Sequence, residues 1–198
     1  MIRVEDRDYS VVMRTPGDET AHAAGFCLGE GIIDTAGDIK TLGYDQNLGA
    51  NRVDVWLTPE RKKKIPGLLT RKAYVSQTSC GICGKQMLED ITRAVTPAGN
   101  RLQVSLDQVF DCVGKLFEKQ SIYPRTRGSH AALLFDRDLE VLGFAEDVGR
   151  HNALDKALGK TLLAGNLSRA GLLVMSSRIS YELVQKAARA KVPVMISK

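Results

Sequence analysis

The sequence lacks a run of apolar residues long enough to cross a lipid bilayer. It also lacks the apolar stretch of a signal peptide, because its first ten residues, MIRVEDRDYS, are rich in charge. These absences exclude membrane-spanning and secreted proteins, and they predict a cytoplasmic protein with no membrane partner. No internal repeat or low-complexity tract is present. With 43% hydrophobic and 26% charged residues, the 198-residue chain has the composition of a globular protein of one domain or two small ones.

Cysteine is scarce, and half of it is isolated. Of four cysteines, only Cys80 and Cys83 lie close together, as the C-x-x-C of TSCGICGKQ (78–86). A structural zinc site usually needs four ligands in two close pairs. Cys27, Cys112 and the three histidines are too scattered to supply the second pair. An iron–sulfur cluster fails for the same reason, so we predict no tightly bound metal.

The C-x-x-C leaves two kinds of thiol chemistry open. A thioredoxin-type redox pair stands at the end of a strand in a βαβ unit, whereas this pair lies in a polar, glycine-rich loop ahead of a helix expected over 85–94. Sulfur carriage as a persulfide fits the loop better, because Gly81 and Gly84 give mobility and the helix start favours a thiolate. We therefore predict that the pair carries sulfur, with a thiol–disulfide oxidoreductase as the alternative.

Strand and helix patterns alternate in the second half of the chain. A capping box, Ser105 to Gln108, opens a helix whose apolar residues recur at helical spacing up to Phe117. The patterns that follow predict strands over 130–135, 140–145, 171–175 and 192–197, and helices over 151–165 and 179–190. Two crossover helices imply a mainly parallel sheet that is covered on both faces. The fold class is therefore α/β, and the order α-β-β-α-β-α-β matches, as a pattern, the three-layer cytidine-deaminase-like core.

The chain is expected to divide into three parts. They are a smaller N-terminal α+β part (1–76), a mobile C-x-x-C loop with its following helix (77–97) and the α/β core (98–198). The N-terminal part contains predicted strands over 9–13 and 52–57 and a helix over 19–31. Because the chain stops just after the apolar run VPVMI, we expect either an incomplete C-terminus or a last strand near the edge of the sheet.

The two crossover helices lack the chemistry of a zinc deaminase. Such enzymes place H-x-E at the start of the first crossover helix and P-C-x-x-C at the start of the second. Here the first helix starts RHNALD, with Ala153 where the glutamate should be. Ser176 and Ser177 stand in place of the thiols of the second motif. The predicted scaffold is deaminase-like, but the metal ligands and the general acid are missing.

Both crossover helices start with residues suited to an anion. Each start follows the carboxyl end of a predicted strand, where open α/β sheets bind ligands, and offers backbone N–H groups. The side chains at the two starts are Arg150, His151, Asn152, Ser176 and Arg178. Together they predict a pocket for a phosphate-bearing ligand. The net charge of +5 also favours an anionic partner, although it does not choose among a cofactor, a nucleic acid and an acidic protein.

Five stretches of the sequence carry a specific resemblance. They are RTPGDET…GFCLGEGII, SCGICGK, RGSHAALLF, EDVGRHNALDKALG and SSRISYELVQKAA. In this order, and over nearly the whole chain, they resemble the FdhD family, the formate dehydrogenase accessory sulfurtransferases. The resemblance implies that Cys80 receives a persulfide from a cysteine desulfurase and that Cys83 is its partner. It further implies transfer of the sulfur to the molybdenum, or tungsten, of a bis-guanine-dinucleotide pterin cofactor, the bound substrate, before that cofactor enters formate dehydrogenase.

The resemblance also bears on architecture and partners. It implies a deaminase-like fold, a homodimer and no nucleic-acid partner, and the two guanosine diphosphate moieties of the cofactor suit the predicted pocket. The family continues past Lys198, so the C-terminus is expected to be incomplete relative to the family. Cys27 is expected to be a buried bystander. The alternative function is a non-catalytic chaperone that binds the guanine-nucleotide end of the cofactor through Arg150, His151 and Arg178.

Overall fold

The computed structural model describes residues 1–45, 51–69, 74–75 and 102–197. Within these ranges the strands are β1 (Ile2–Val4), β2 (Arg7–Val11), β3 (Ile39–Asp45), β4 (Arg52–Leu57), β5 (Tyr74–Val75), β6 (His130–Phe135), β7 (Val141–Asp147), β8 (Leu172–Met175) and β9 (Val194–Ser197). The α-helices are α1 (Glu19–Gly29), α2 (Pro59–Lys64), α3 (Pro66–Leu69), α4 (Leu106–Lys119), α5 (Tyr123–Thr126), α6 (Arg150–Leu163) and α7 (Tyr181–Arg189). The helix predicted over 85–94 lies outside the described residues.

The first sheet is built from the N-terminal residues and has the strand order β3-β4-β1-β2-β5. It is mixed, since β1 pairs antiparallel with β2 and parallel with β4. The strand predicted over 52–57 is confirmed as β4. Its sequence RVDVWL alternates, so Val53, Val55 and Leu57 are buried together while the residues between them are half-buried.

The second sheet has the strand order β7-β6-β8-β9, and β9 lies at its edge. The prediction of a mainly parallel sheet is wrong, because β6 pairs antiparallel with both β7 and β8, and only β8 and β9 pair in parallel. A short turn joins β6 to β7 and fixes their antiparallel pairing. The crossover through α6 then carries the chain past β6 to its other side. β7, β8 and β9 thus share one direction, but β6 separates β7 from the other two.

Helices cover both faces of the second sheet, as predicted. On one face Cys112 and Leu116 of α4 pack against Leu133, Phe135 and Val174 of the sheet. The other face is covered by α6 and α7, in one apolar cluster that extends through α1 to the inward side chains of β4. The predicted order α-β-β-α-β-α-β is present as α4-β6-β7-α6-β8-α7-β9, with the single-turn α5 inserted before β6. The domain boundaries near residues 76 and 97 remain predictions.

The two isolated cysteines are packing residues. Cys27 on α1 is completely buried and Cys112 on α4 is 1% exposed, and both are free thiols. Burial raises the pKa of the Cys27 thiol far above its usual range. Both side chains therefore lack the accessible thiolate that sulfur chemistry requires.

Two glycines set the distance between α1 and α6. A Cβ atom built on Gly159 of α6 would lie 1.8 Å from the backbone oxygen of Ala21 on α1. A Cβ atom on Gly25 of α1 would lie 1.8 Å from the backbone oxygen of Asp155 on α6. The helices touch backbone to backbone at these points, so any side chain larger than hydrogen would push them apart.

Gly159→Ala should therefore lower the free energy of unfolding by about 1–3 kcal/mol, because the added methyl group meets backbone rather than a flexible side chain. Urea denaturation measures the change. Gly114→Ala on α4 is the matched control, since its Cβ would meet nothing within 4 Å. The control should gain about 0.5–1 kcal/mol from helix propensity. Equal effects of the two substitutions would contradict the packing argument.

Candidate functional site

The predicted site residues lie at the edge where β7 and β8 end. β7 ends at Asp147, and α6 begins three residues later with Gly149 as its N-cap. β8 ends at Met175, and α7 begins at Tyr181 with Ser180 as its N-cap. The second helix was predicted from residue 179 and starts at Tyr181, so Ser176 and Arg178 lie further ahead of it than predicted, in the connection before α7. Because β6 is antiparallel to both neighbours, it begins at this same edge.

The charges of Arg150 and Arg178 both act on His130, the first residue of β6. Burial is the main cause that lowers the pKa of His130, and the guanidinium groups of Arg150 and Arg178 lower it further. Arg178 is exposed and Arg150 is half-buried. The Nε atom of Arg150 is buried and has no hydrogen-bond partner among the described residues. The cluster thus offers guanidinium donors for an anion.

His130 was missed by sequence reasoning, which treated it as one of three scattered histidines. It lies opposite Asp147 in the β6–β7 ladder, and Ala132 lies opposite Met175 in the β6–β8 ladder. The only sequence signal was the stretch RGSHAALLF, which places a histidine at the start of a strand. That the strand starts at this edge follows from the antiparallel pairing, which the local pattern does not contain.

Asn152 and Ser176 are engaged within the protein. The buried Asn152 amide donates to the backbone oxygen of Met13 at 2.7 Å and to Asp147 Oδ1 at 2.9 Å, so both of its N–H donors have partners. The Ser176 hydroxyl oxygen accepts a hydrogen bond from the Ala131 N–H at 2.8 Å. These contacts give both residues a positioning role. Their contact with a ligand stays a prediction.

His151 faces the start of α7. Its Nε2 atom lies 3.3 Å from Ser180 Oγ and 3.2 Å from Glu182 Oε2. The side chains of His151 and Glu182 are 18% and 14% exposed. Of the two residues in the contact between His151 and Glu182, only His151 was predicted as a site residue.

A buried network beneath the helix start holds Arg150 and His151 in place. Lys156 Nζ lies 2.7 Å from Asp147 Oδ2, and both side chains are almost fully buried. Asp147 also accepts hydrogen bonds from the N–H groups of Thr15 and Gly149. Lys156 donates to the Thr15 backbone oxygen at 2.7 Å. The stretch RTPGDET is thereby fixed against EDVGRHNALDK.

A second carboxylate at the end of β7 fixes the approach to β6. Glu146 accepts hydrogen bonds from the backbone N–H groups of Ser121, Ile122 and Tyr123 and from the Ser129 hydroxyl. Burial alone would raise the pKa of Glu146, but these hydrogen bonds outweigh it and hold the pKa below its usual value. The segment that leads to His130 is therefore tied to the same strand end as Arg150.

A cavity of about 500 Å³ lies at the opposite ends of α6 and α7. Its lining includes Leu162 near the end of α6, the segment from Arg189 to Lys191 at the end of α7, and Asp34. Arg189 and Asp34 are ion-paired at 2.8 Å. Arg150, His151, Asn152, Ser176 and Arg178 do not line this cavity, so it is not the predicted pocket.

Cys80 and Cys83 lie outside the described residues. Across the described ranges, no group of three or more His, Cys, Asp or Glu side chains is arranged to hold a metal ion. No helix in the part of the chain that the structure describes has the length and apolar character needed to cross a membrane.

Comparisons with known proteins agree on one family. Residues 1–198 match the sequence model of the FdhD/NarQ family. A relative from Streptomyces coelicolor, named sulfur carrier protein FdhD, is 38% identical over 98% of this chain and 72% of its own length. Relatives of the same name from Mycobacterium tuberculosis and Saccharolobus solfataricus are 35% and 34% identical, over 98% and 95% of this chain and 74% and 68% of their own lengths.

A solved structure from Desulfotalea psychrophila, of a protein assigned as a formate dehydrogenase accessory protein, is similar in fold. The TM-score is 0.73 at 22% sequence identity, and the match covers 99% of this chain and 71% of that one. The mixed α/β architecture is thus shared with a solved structure. Together with the match of the whole sequence, these findings show that the chain belongs to the FdhD/NarQ family.

Proposed function

We propose that this chain is a cytoplasmic sulfur carrier that serves formate dehydrogenase. Sulfur arrives as a persulfide from a cysteine desulfurase and leaves for the molybdenum, or tungsten, of a bis-guanine-dinucleotide pterin cofactor, which is the substrate. The observation that carries the proposal is the match, over 98% of this chain, to a relative named sulfur carrier protein, combined with the C-x-x-C at Cys80 and Cys83.

Two thiols suffice for the proposed transfer. The Cys80 thiolate attacks the outer sulfur of the desulfurase persulfide, an S–S bond forms on Cys80, and the desulfurase thiolate leaves. The Cys83 thiolate then attacks the Cys80 sulfur, which forms a Cys80–Cys83 disulfide and releases the outer sulfur as sulfide. The two electrons gained by that sulfur come from the cysteine pair, so a thiol reductant must restore the dithiol before the next cycle.

The anion cluster supports a role in holding the nucleotide ends of the substrate. Arg150, the first residue of α6, and Arg178, in the connection before α7, both act electrostatically on His130 at one sheet edge, and the buried Arg150 Nε donor has no partner among the described residues. Guanidinium groups form strong charge-assisted hydrogen bonds with diphosphate oxygens. The same cluster supports the second candidate, a non-catalytic chaperone that binds the guanine-nucleotide end and does not carry sulfur.

The second sheet supports a finer fold proposal. β7, β8 and β9 share one direction, β6 runs against them, and helices cover both faces. We propose that this unit is a cytidine-deaminase-like core from which the deaminase metal ligands have been lost. A homodimer is proposed from the family resemblance, and light scattering on the purified protein tests it.

Cys80→Ser should abolish persulfide loading, because the attacking thiolate is gone. Cys83→Ser should load but fail to pass the sulfur on. Incubation with a desulfurase and labelled cysteine, followed by mass spectrometry of peptides, locates the label. Label on Cys83 in a Cys80→Ser variant that still supports formate dehydrogenase would contradict the roles assigned to the two cysteines. Absence of label in the wild-type chain would favour the chaperone.

Arg150→Ala and Arg178→Ala should each weaken guanosine diphosphate binding roughly tenfold to a hundredfold, since a charge-assisted hydrogen bond contributes about 1.5–3 kcal/mol. Calorimetry measures the affinity, and persulfide loading should be unchanged. Arg137→Ala is the control, because this exposed arginine lies in the β6–β7 turn at the other end of the sheet. If neither variant at the cluster differs from the control, the pocket lies elsewhere.

A further inference from the structure

The helices α6 and α7 face each other through two contacts between an acidic and a basic side chain. His151 and Asp155 are four residues apart on α6, and Glu182 and Lys186 are four residues apart on α7. Residues at this spacing lie one above the other on a helix face. His151 Nε2 lies 3.2 Å from Glu182 Oε2, and Lys186 Nζ lies 2.8 and 2.9 Å from the two oxygens of Asp155. The pairs are therefore stacked one helical turn apart.

The inner pair, Asp155 and Lys186, is buried in the core. Asp155 and Lys186 side chains are each 3% exposed, and Lys186 Nζ lies 5.3 Å from the centre of the Phe26 ring. A Cβ atom on Gly29 would lie within 3 Å of Lys186, so this glycine makes room for the lysine. Burial alone would lower the pKa of Lys186, but the carboxylates of Asp155 and Glu182 outweigh it and raise the pKa. These carboxylates hold Lys186 as a cation, while burial raises the pKa of Asp155 itself to about 7.

The outer pair, His151 and Glu182, is partly exposed to solvent. Glu182 stands in the first turn of α7, where the helix macrodipole favours a carboxylate, with the Lys186 cation one turn further along the same face. It approaches His151, which stands in the first turn of α6 beside Arg150. A carboxylate in an anion-binding cluster repels the anion unless it has a positive partner. An imidazolium on His151 would be that partner.

We propose that Glu182 is a positioning residue that keeps His151 protonated, so that the site presents a third cation to a diphosphate beside Arg150 and Arg178. The proposal rests on the proposed binding of guanosine diphosphate at this cluster. Charged and titratable groups on the described elements at this edge include Arg150 and Asp155 on α6, Lys186 on α7, Arg178 in the connection before α7, and His130 on β6. Arg150, the preceding residue in the chain, and the positive end of the α6 macrodipole both disfavour an imidazolium on His151, so a carboxylate is needed to hold it. Binding should weaken as the pH rises and His151 loses its proton.

The proposal and simple electrostatics predict opposite signs for one substitution. If Glu182 only repels the ligand, Glu182→Gln raises the affinity for a diphosphate at every pH. If Glu182 keeps His151 charged, Glu182→Gln lowers the affinity near pH 7 about tenfold, the loss of one ionic hydrogen bond. The difference between the variant and the wild-type chain should shrink as the pH falls, because protonation of the imidazole then depends less on its partner.

Calorimetry with guanosine diphosphate at pH 5.5, 7 and 8 separates these outcomes. Glu60→Gln is the matched control, since Glu60 is an exposed glutamate in the first turn of α2. In a His151→Gln background, Glu182→Gln should cause no further weakening, because there is no imidazolium left to hold. Equal or tighter binding by Glu182→Gln at pH 7, or additive losses in the double variant, would overturn the proposal.

Nuclear magnetic resonance of the histidine rings gives a readout that needs no ligand. The chain has three histidines, and the buried His22 has its pKa lowered to about 3, mainly by burial, so it does not titrate near neutral pH. His151→Gln identifies which remaining signal belongs to His151. Glu182→Gln should move the titration of that signal to lower pH, and Glu60→Gln should not. If the titration of the His151 signal does not move in Glu182→Gln, the proposed role of Glu182 is wrong. If it moves but the chain does not bind guanosine diphosphate, only the proposed ligand is wrong.

Discussion

The arrangement of the site depends on one buried ion pair, between Asp147 at the end of β7 and Lys156 on α6. Their charged atoms are 2.7 Å apart, and both side chains are almost fully buried. Buried charges are stable only where each is paired and its remaining hydrogen bonds are made. Those bonds go to Thr15, Gly149 and Asn152, so the strand end, the helix start and the segment before α1 hold one another. Loss of one partner would leave an uncompensated charge beneath the whole site.

Sequence patterns predicted the elements whose cause is local. The capping box of Ser105 and Gln108 is present at the start of α4, with both reciprocal hydrogen bonds. The alternation in RVDVWL is present as β4, with its three apolar residues buried. Pairing of strands is not local, however. A crossover helix between two strands predicts that they are parallel, but it does not reveal that β6 lies between them. The prediction of a mainly parallel sheet was wrong for this reason.

The sequence predicted those residues of the candidate site that belong to one local pattern, and it missed those that come from other elements. Arg150, His151 and Asn152 follow from a glycine between a strand and a helix, a pattern within one stretch of sequence. His130 and Glu182 come to the site from other elements, and only the tertiary arrangement brings them near. Lys156 was equally hard to place, because a lysine on a helix usually lies on a solvated face. Its burial depends on Asp147, nine residues earlier on a different element.

The candidate site and the buried network below it differ in how their polar groups are hydrogen-bonded. In the buried network, the partners of Asp147, Lys156 and Asn152 all lie within the protein. At the open end of the site, Arg178 is exposed and Arg150 is half-buried, and the buried Nε donor of Arg150 has no partner among the described residues. A site of this kind is preorganised, because satisfied groups orient the open donors before a ligand arrives. The contact of His151 with Glu182 combines both properties. The imidazole has a partner that fixes its position, and 18% of its side chain stays exposed, so solvent or a ligand can still reach it.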